Sequence, residues 1–313
     1  MNNNFINTKD MSNKEWLAHR QTGIGGSDVG VILGVNKWKS PIQLYFEKIG
    51  EVKEPVLDNE YIYWGNVLED IVAQEFSKRT GKKVRRVNKM FRHPKYDFMI
   101  ANIDRSVVGE DALLECKTTS EYNKDKWQDE EIPSSYLAQV QHYLAVTGYK
   151  KGYIAVLIGG NRFVWKEIER DEDLINLIID KEKEFWERYI LGEELPDMDG
   201  SNATTEFLKH KYLESLDSEK ILNNDIETTI EALNAVKEEE KEIKTLKQKY
   251  ENKLKATLGN EERGMSKNFK VSWKMQNKKS FDKKAFEKDY PDLANKYTKE
   301  SKHRVLRIKE LNH

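Results

Sequence analysis

The sequence predicts an α/β fold over residues 1–198, followed by a C-terminal helical plus small α+β extension over residues 199–313. Three observations carry this reading. Stretches with helical apolar spacing alternate with short strand-like runs. Two pairs of those runs fold back at glycine-containing turns. A polar linker over residues 192–201 then separates this pattern from a Lys- and Glu-rich remainder.

In chain order, residues 12–20 read as a helix, and Gly23-Ile24-Gly25-Gly26-Ser27 follows as a turn. Ser27 is the expected N-cap of a short helix ending near Gly34, because its hydroxyl can accept one of the free backbone N–H groups there. Ser40-Pro41 opens the next helix, with proline in the first turn, where its missing N–H is not needed. Over residues 61–79, Val67/Leu68, Ile71/Val72 and Phe76 recur at helical spacing. Residues 98–104 and 112–117 read as strands of a hairpin turning at Gly109. Residues 134–147 return to helix. Residues 152–158 and 162–168 bracket Gly159-Gly160-Asn161 as a second hairpin, and a helix from Asp171 to about Leu191 closes the unit.

Beyond the linker, a heptad register over residues 222–258 places Leu222, Val236, Ile243 and Tyr250 at one core position. Ile226, Leu233 and Leu254 occupy the other, interrupted by Glu240 and Lys247. Those charges argue against a long free coiled coil and for a helical hairpin, or a helix packed on its own domain. FKVSWKM and HRVLRIKE read as short strands around a Lys-rich helix.

Composition narrows the class. The 313 residues contain no run approaching the roughly 20 apolar residues that span a bilayer, and MNNNFINTKD lacks the apolar core of a signal peptide. The single cysteine, Cys116, excludes an internal disulfide and cysteine-rich zinc or iron–sulfur sites. A cytoplasmic location and no membrane partner are expected. The net charge of −1 hides an asymmetry: residues 266–313 carry 14 Lys+Arg against 6 Asp+Glu, and the first 200 carry 28 against 34. A basic tail on an acidic protein suits nucleic acid, and equally a solvated surface.

The chemistry-bearing cluster begins at Glu115-Cys116-Lys117. On a strand, Glu115 and Lys117 share a face and Cys116 faces the other way. Alone, this is an ordinary ion pair at a sheet edge. Antiparallel pairing around Gly109 brings Asp104 beside Glu115, however, and a divalent cation relieves the repulsion of two adjacent carboxylates. Lys117 would then lie near an attacking water or a phosphate. Glu69, between Gly65 and Ala73 on its helix, is a third candidate ligand or a solvent-facing glutamate. Gln139 and Tyr143, four apart, share a helix face and can orient a water or phosphate.

Near the N-terminus, glycines at 25 and 26 allow close backbone approach, and Ser27 opens a helix whose free N–H groups attract anions. Arg20 can chelate a phosphate with two hydrogen bonds. A tight turn that merely needs glycines is the plain alternative. Lys124 and Lys126 can contact a DNA backbone or sit in a solvated loop. His19, His93 and His142 lack metal-ligand spacing, and Trp16, Trp38, Trp64 and Trp127 suit a core better than base stacking, although Trp38 could wedge a duplex end.

The order Glu69, Asp104, Glu115-Cys116-Lys117, then Gln139-Val140-Gln141-His142-Tyr143 resembles the PD-(D/E)XK nuclease superfamily. With Arg20-Gln21-Thr22-Gly23-Ile24-Gly25-Gly26-Ser27 and Ser135-Tyr136-Leu137-Ala138-Gln139, it is similar to the lambda exonuclease and YqaJ-type viral recombinase family over residues 12–190. One departure is Ile103 where the motif has proline, which is not a ligand. The resemblance implies a restriction-endonuclease-like core, a central mixed sheet flanked by helices. It implies Mg²⁺, replaceable by Mn²⁺, with two ions per site held by Asp104, Glu115, the Cys116 backbone carbonyl and Glu69. Lys117 would activate water, supported by Gln139 and Tyr143. Arg20, Ser27, Gly26 and Asn102 would bind the 5′-phosphate of a DNA end.

The expected activity is 5′→3′ resection of linear double-stranded DNA for phage-type recombination, with a single-strand annealing recombinase of the RecT/Red-beta kind as partner. The resemblance also implies a homo-oligomer, with a trimeric ring as its form, in a bacterial host cytoplasm. The competing readings are a structure- or site-specific endonuclease and a non-catalytic DNA-end binding adaptor.

Overall fold

Strand propensity and glycine turns build one mixed sheet, and the helices of the first unit are arranged about it. The computed structural model describes residues 4–52, 60–223 and 225–310. The first three residues of the N-terminal stretch, and Asn224 within the expected helical region, lie outside them. The chain divides into two units, Met1–Lys211 and Tyr212–His313.

The first unit opens with β1 (Phe5–Asn7), α1 (Asn13–Gln21), α2 (Gly26–Ile32), α3 (Pro41–Lys48) and α4 (Glu60–Thr80). Five strands follow: β2 (Val84–Arg86), β3 (Lys89–Arg92), β4 (Ile100–Ala101), β5 (Arg105–Val107) and β6 (Ala112–Thr119). Then come α5 (Ser134–Thr147), β7 (Lys151–Ile158), β8 (Arg162–Glu169), α6 (Glu172–Glu184) and α7 (Asn202–Lys211). The main sheet has the order β2-β5-β6-β7-β8. Within that sheet, among the described residues, only β6 and β7 run parallel, and α5 supplies the crossover that a parallel pair requires. This is the mixed α/β core, helices flanking a central sheet, that the sequence predicts. A second sheet, β1-β3-β4, is antiparallel.

The alternation along β6 decides which chemistry faces which layer. Leu113 packs with Val140, Leu144 and Ile154 on the α5 side, whereas Leu114 and Cys116 pack with Val72, Ala73 and Phe76 of α4. Glu115 and Lys117 therefore project toward α5. Full burial of Phe76 alone contributes roughly 1.5–3 kcal/mol toward holding α4 to the sheet. Helix α5 ends at Gly148, whose φ of 72° is left-handed and closes the helix without a Cβ penalty.

Several expectations need correction. Residues 98–104 are not one strand of a hairpin. Ile24 N donates to the Phe98 carbonyl at 2.6 Å and Ile100 N to the Ile24 carbonyl at 2.9 Å. That draws β4 to the glycine-rich turn and the second sheet. The chain bends at residues 102–104, and only β5 forms the hairpin with β6, turning at Gly109 as expected. Strands β1 to β3, all of three or four residues and the last two charged, escaped the sequence reading. Ser27 is not the N-cap of α2: Gly25 is, and the Asp28 carboxylate accepts from the Gly25 N–H at 3.1 Å. Helix α7, assigned by sequence to the extension, packs in the first unit, with Phe207 stacked on Phe46 at 5.7 Å between centroids.

The second unit contains α8 (Asp225–Leu258), β9 (Arg263–Met265), β10 (Lys270–Ser272), α9 (Lys283–Asp289) and α10 (Pro291–Tyr297). Helix α8 is one continuous helix, not a helical hairpin, since no glycine or proline interrupts it. Residues 303–310 form no strand, because β10 takes β9, its neighbour in sequence, as antiparallel partner. Among the described residues no helix is long and apolar enough to cross a membrane.

Candidate active site

The pairing of β5 with β6 sets Arg105 opposite Leu114, so the next position along places Asp104 opposite Glu115. The Cys116 backbone N–H donates to Asp104 Oδ2 at 2.8 Å, which pins the aspartate against β6. Glu115 is buried at 3% exposure. Its Oε1 accepts from Gln139 Nε2 at 2.7 Å and lies 2.7 Å from Lys117 Nζ. Gln139 also donates to the Tyr143 hydroxyl at 2.9 Å. The sequence expectation that Asp104, Glu115, Lys117, Gln139 and Tyr143 converge therefore corresponds to one contiguous cluster.

Its electrostatics are strained. Desolvation, then the charge of Glu115, pushes the Asp104 carboxyl well above the ordinary carboxylate value. Burial opposes the charge on Lys117, but Glu115 and Asp104 outweigh it and raise the lysine above its usual value. Burial and the same two carboxylates push the Tyr143 hydroxyl well above 10, so it remains a neutral donor. The Cys116 thiol is likewise pushed up, chiefly by burial, which removes it as a nucleophile at neutral pH.

Glu115 Oε2 is buried and has no hydrogen-bond partner. An unpartnered buried carboxylate oxygen costs free energy unless something positive meets it. With Asp104 beside it, the donor set is oxygen-rich and anionic, which fits a hard divalent cation. Glu69 is differently placed. Its Oε1 accepts from Arg105 at 2.5 Å and from Arg86 at 3.4 Å, while Arg105 also pairs with Asp70. Among the described residues no three His, Cys, Asp or Glu side chains form a metal-holding group. Asp104 and Glu115 therefore supply the donor pair that fits a hard divalent cation, whereas Glu69 Oε1 is engaged by Arg105 and Arg86.

The glycine-rich turn abuts this cluster. A Cβ on Gly26 would meet the Tyr143 ring at 2.4 Å and Gln139 Cγ at 3.0 Å. Gly26 is thus the contact that lets α2 lie on the face of α5 that carries Gln139 and Tyr143. Arg20 donates to Ser27 Oγ at 2.6 Å and to Asp28 Oδ1 at 3.2 Å. Asn102 donates instead to the Lys89 carbonyl at 3.5 Å. Lys124 pairs with Glu121 and Lys126 with Asn123, and Trp127 is buried against Tyr136 while Trp38 is exposed.

Sequence reasoning missed Asp28. It is buried, pairs with Lys48 at 2.8 Å and Arg20 at 3.2 Å, and has Lys39 at 3.8 Å. Burial works against its charge, yet the three cations hold its carboxyl far below the usual range. Glu47 in turn pairs with Lys39. The signal was an Asp three residues after Gly25, in first-turn capping position. His142, which lacks metal-ligand spacing in the sequence, is a fully buried packing residue: its Nδ1 meets Glu182 Oε1 at 2.7 Å and its Nε2 meets the Ile100 carbonyl at 2.8 Å.

A family profile for the YqaJ-like viral recombinase domain matches residues 15–150. The chain is 47% identical over 306 residues to the uncharacterized protein YqaJ of Bacillus subtilis (strain 168), covering 97% of this chain and 96% of that one. Among solved structures it is similar to an alkaline exonuclease (LHK-Exo) from Laribacter hongkongensis, with 19% identity and a TM-score of 0.47, covering 57% of this chain and 93% of that chain. It is also similar to a phage-related exonuclease from Haemophilus somnus 129PT, with 13% identity and a TM-score of 0.44, covering 57% and 100%.

Proposed function

Since the chain belongs to the YqaJ-like viral recombinase family, we propose that it is a Mg²⁺-dependent 5′→3′ exodeoxyribonuclease that resects linear duplex DNA and leaves a 3′ single strand. The observation that carries this reading is the buried, unpartnered Glu115 Oε2 beside Asp104. That arrangement suits a site built to bind a cation rather than to stabilise the fold.

Asp104, Glu115 and the Cys116 backbone carbonyl are the residues that would hold Mg²⁺, with Glu69 supporting and Mn²⁺ able to substitute. A second ion, which the resemblance implies, would draw on the same acidic face. Bound there, the ions supply Lewis acidity toward a phosphodiester and a water. Gln139 holds Glu115 Oε1, so that Oε2 alone is presented. Lys117, as an ammonium, donates toward the developing negative charge on phosphate oxygens and favours ionisation of the attacking water. Water then forms the new bond to phosphorus, the bond to the leaving 3′ oxygen breaks, and a 5′-mononucleotide departs. Arg20 and Ser27, joined at 2.6 Å, would receive the terminal 5′-phosphate, with Gly26 keeping that turn against Tyr143. Asn102, whose amide donates to the Lys89 carbonyl at 3.5 Å, would have to leave that contact to join them. The exposed 3′ strand is the substrate class of a single-strand annealing recombinase of the RecT/Red-beta kind, the proposed partner.

Timed digestion of three duplexes tests this reading, with Mg²⁺ and with EDTA. Linear 5′-phosphorylated DNA should be degraded fastest, linear 5′-hydroxyl DNA slowly, and a covalently closed circle not at all. Nicking of the circle would favour an endonuclease, and no cleavage in Mg²⁺ or Mn²⁺ would leave a DNA-end binding adaptor.

A further inference from the structure

Helix α8 displays an apolar stripe in water. None of its residues is buried, and Val236, Ile243, Tyr250 and Leu254 are 58, 66, 59 and 49% exposed. The helix has 34 residues, a rod of about 50 Å. Large apolar side chains recurring at seven-residue spacing on such a rod are normally covered by another helix. The stripe is broken at its centre by Glu240 and Lys247, both at core positions of the heptad.

The charges divide at the same place. Residues 225–242 hold seven Asp or Glu and two Lys, whereas residues 243–258 hold five Lys and one Glu. The helix is therefore acidic in its first half and basic in its second. The internal pairs Lys241–Glu238 at 3.2 Å and Lys247–Glu251 at 3.7 Å are exposed and contribute little.

We propose that α8 pairs with α8 of a second copy of this chain, antiparallel, about a two-fold axis between residues 241 and 242. In that register each acidic half lies along a basic half. Leu233 packs against the partner's Tyr250, and Ile243 against the apolar stem of the partner's Glu240. Glu240 and the partner's Lys247 occupy successive layers, where they pair across the axis, and symmetry repeats the contact. The two residues that interrupt the stripe thus become its central lock. A parallel pair would set Glu240 against Glu240 and Lys247 against Lys247, with like halves side by side, which is repulsive. This inference stands apart from the nuclease reading, because it uses no residue of the first unit.

A charge swap tests both the pairing and its direction, read by sedimentation equilibrium of the full-length chain. Glu240→Lys alone and Lys247→Glu alone should each raise the dissociation constant of this contact about tenfold or more, because each brings like charges together in the layers at the axis. Glu240→Lys combined with Lys247→Glu should restore it. Circular dichroism should show helix content unchanged in all three, since both positions are exposed. Any assembly through the first unit is common to the four proteins and cancels in the comparison. Single variants that leave association unchanged would overturn the proposal, as would a double variant no tighter than the singles, or a wild-type chain that does not self-associate at tens of micromolar.

Discussion

Gln139 donates its side-chain amide to Glu115 Oε1 at 2.7 Å, so the buried glutamate presents only Oε2 without a partner. The amide comes from α5 and the carboxylate from β6, and their contact joins the crossover helix to the strand that carries Glu115 and Lys117.

Asp104→Asn removes the repulsion between Asp104 and Glu115 while keeping an oxygen for the Cys116 N–H. In the absence of divalent metal the variant should melt higher by about 2–4 °C, the shift expected for ~1 kcal/mol in a domain of this size. It should also lose cleavage by about a thousandfold or more. Mg²⁺ should raise the Tm of the wild type but not of the variant. Thermal scans with and without Mg²⁺ check both points, and equal Mg²⁺ shifts in the two proteins would remove Asp104 from the cation site.

Gly26→Ala forces a methyl group into the Tyr143 ring, at 2.4 Å from Cε1. Overpacking of this kind costs about 1–3 kcal/mol, and it displaces the helix that carries Gln139. Urea denaturation should show the loss in midpoint, and cleavage should fall with it. Gly25→Ala is the control. Its new Cβ meets nothing closer than 3.7 Å, so stability should change by less than about 1 kcal/mol.

Arg20→Ala and Asp28→Ala separate recognition from folding at the glycine-rich turn. Without Arg20, Asp28 keeps Lys48 at 2.8 Å, so the fold survives. The preference for 5′-phosphate over 5′-hydroxyl ends should then fall about tenfold or more, the loss of one charge-assisted contact. Removing Asp28 leaves Lys48, whose side chain is 5% exposed, buried without its partner. That costs about 3–5 kcal/mol. Urea denaturation and end-specific digestion distinguish the two variants.

The buried His142–Glu182 pair makes stability depend on pH. Burial opposes the imidazolium, but the Glu182 charge and the Ile100 carbonyl outweigh it and raise His142 above its ordinary value of 6.5. A group that binds its proton more tightly when folded adds stability that is complete below its unfolded pKa and is lost as pH rises through the folded one. The stability difference between wild type and His142→Gln should therefore shrink as pH is raised upward from 6. Denaturation curves at pH 6, 7.5 and 9 measure it, and a difference that grew with pH would reverse the assignment.

The helices were legible because their signals are local. Ser40-Pro41 begins α3, and Gly148 ends α5 where its left-handed φ requires glycine. Residues 98–104 misled for the opposite reason. Their alternation is strand-like, yet Ile24, more than seventy residues upstream, claims the Phe98 carbonyl and turns the segment away from β6. No window of sequence contains that competition.

By itself the sequence determined the alternation of helices and strands, the facing of Glu115 and Lys117, and the set of residues worth bringing together. Period and residue type act over a few positions and need no partner to be read. Tertiary structure alone decided that Asp28 pairs with both Arg20 and Lys48, that Arg105 holds Glu69, and that Gly26 seats α2 on Tyr143. Each of these depends on side chains far apart in the chain meeting in a low-dielectric interior, where the identity of the neighbour outweighs the residue's own preference.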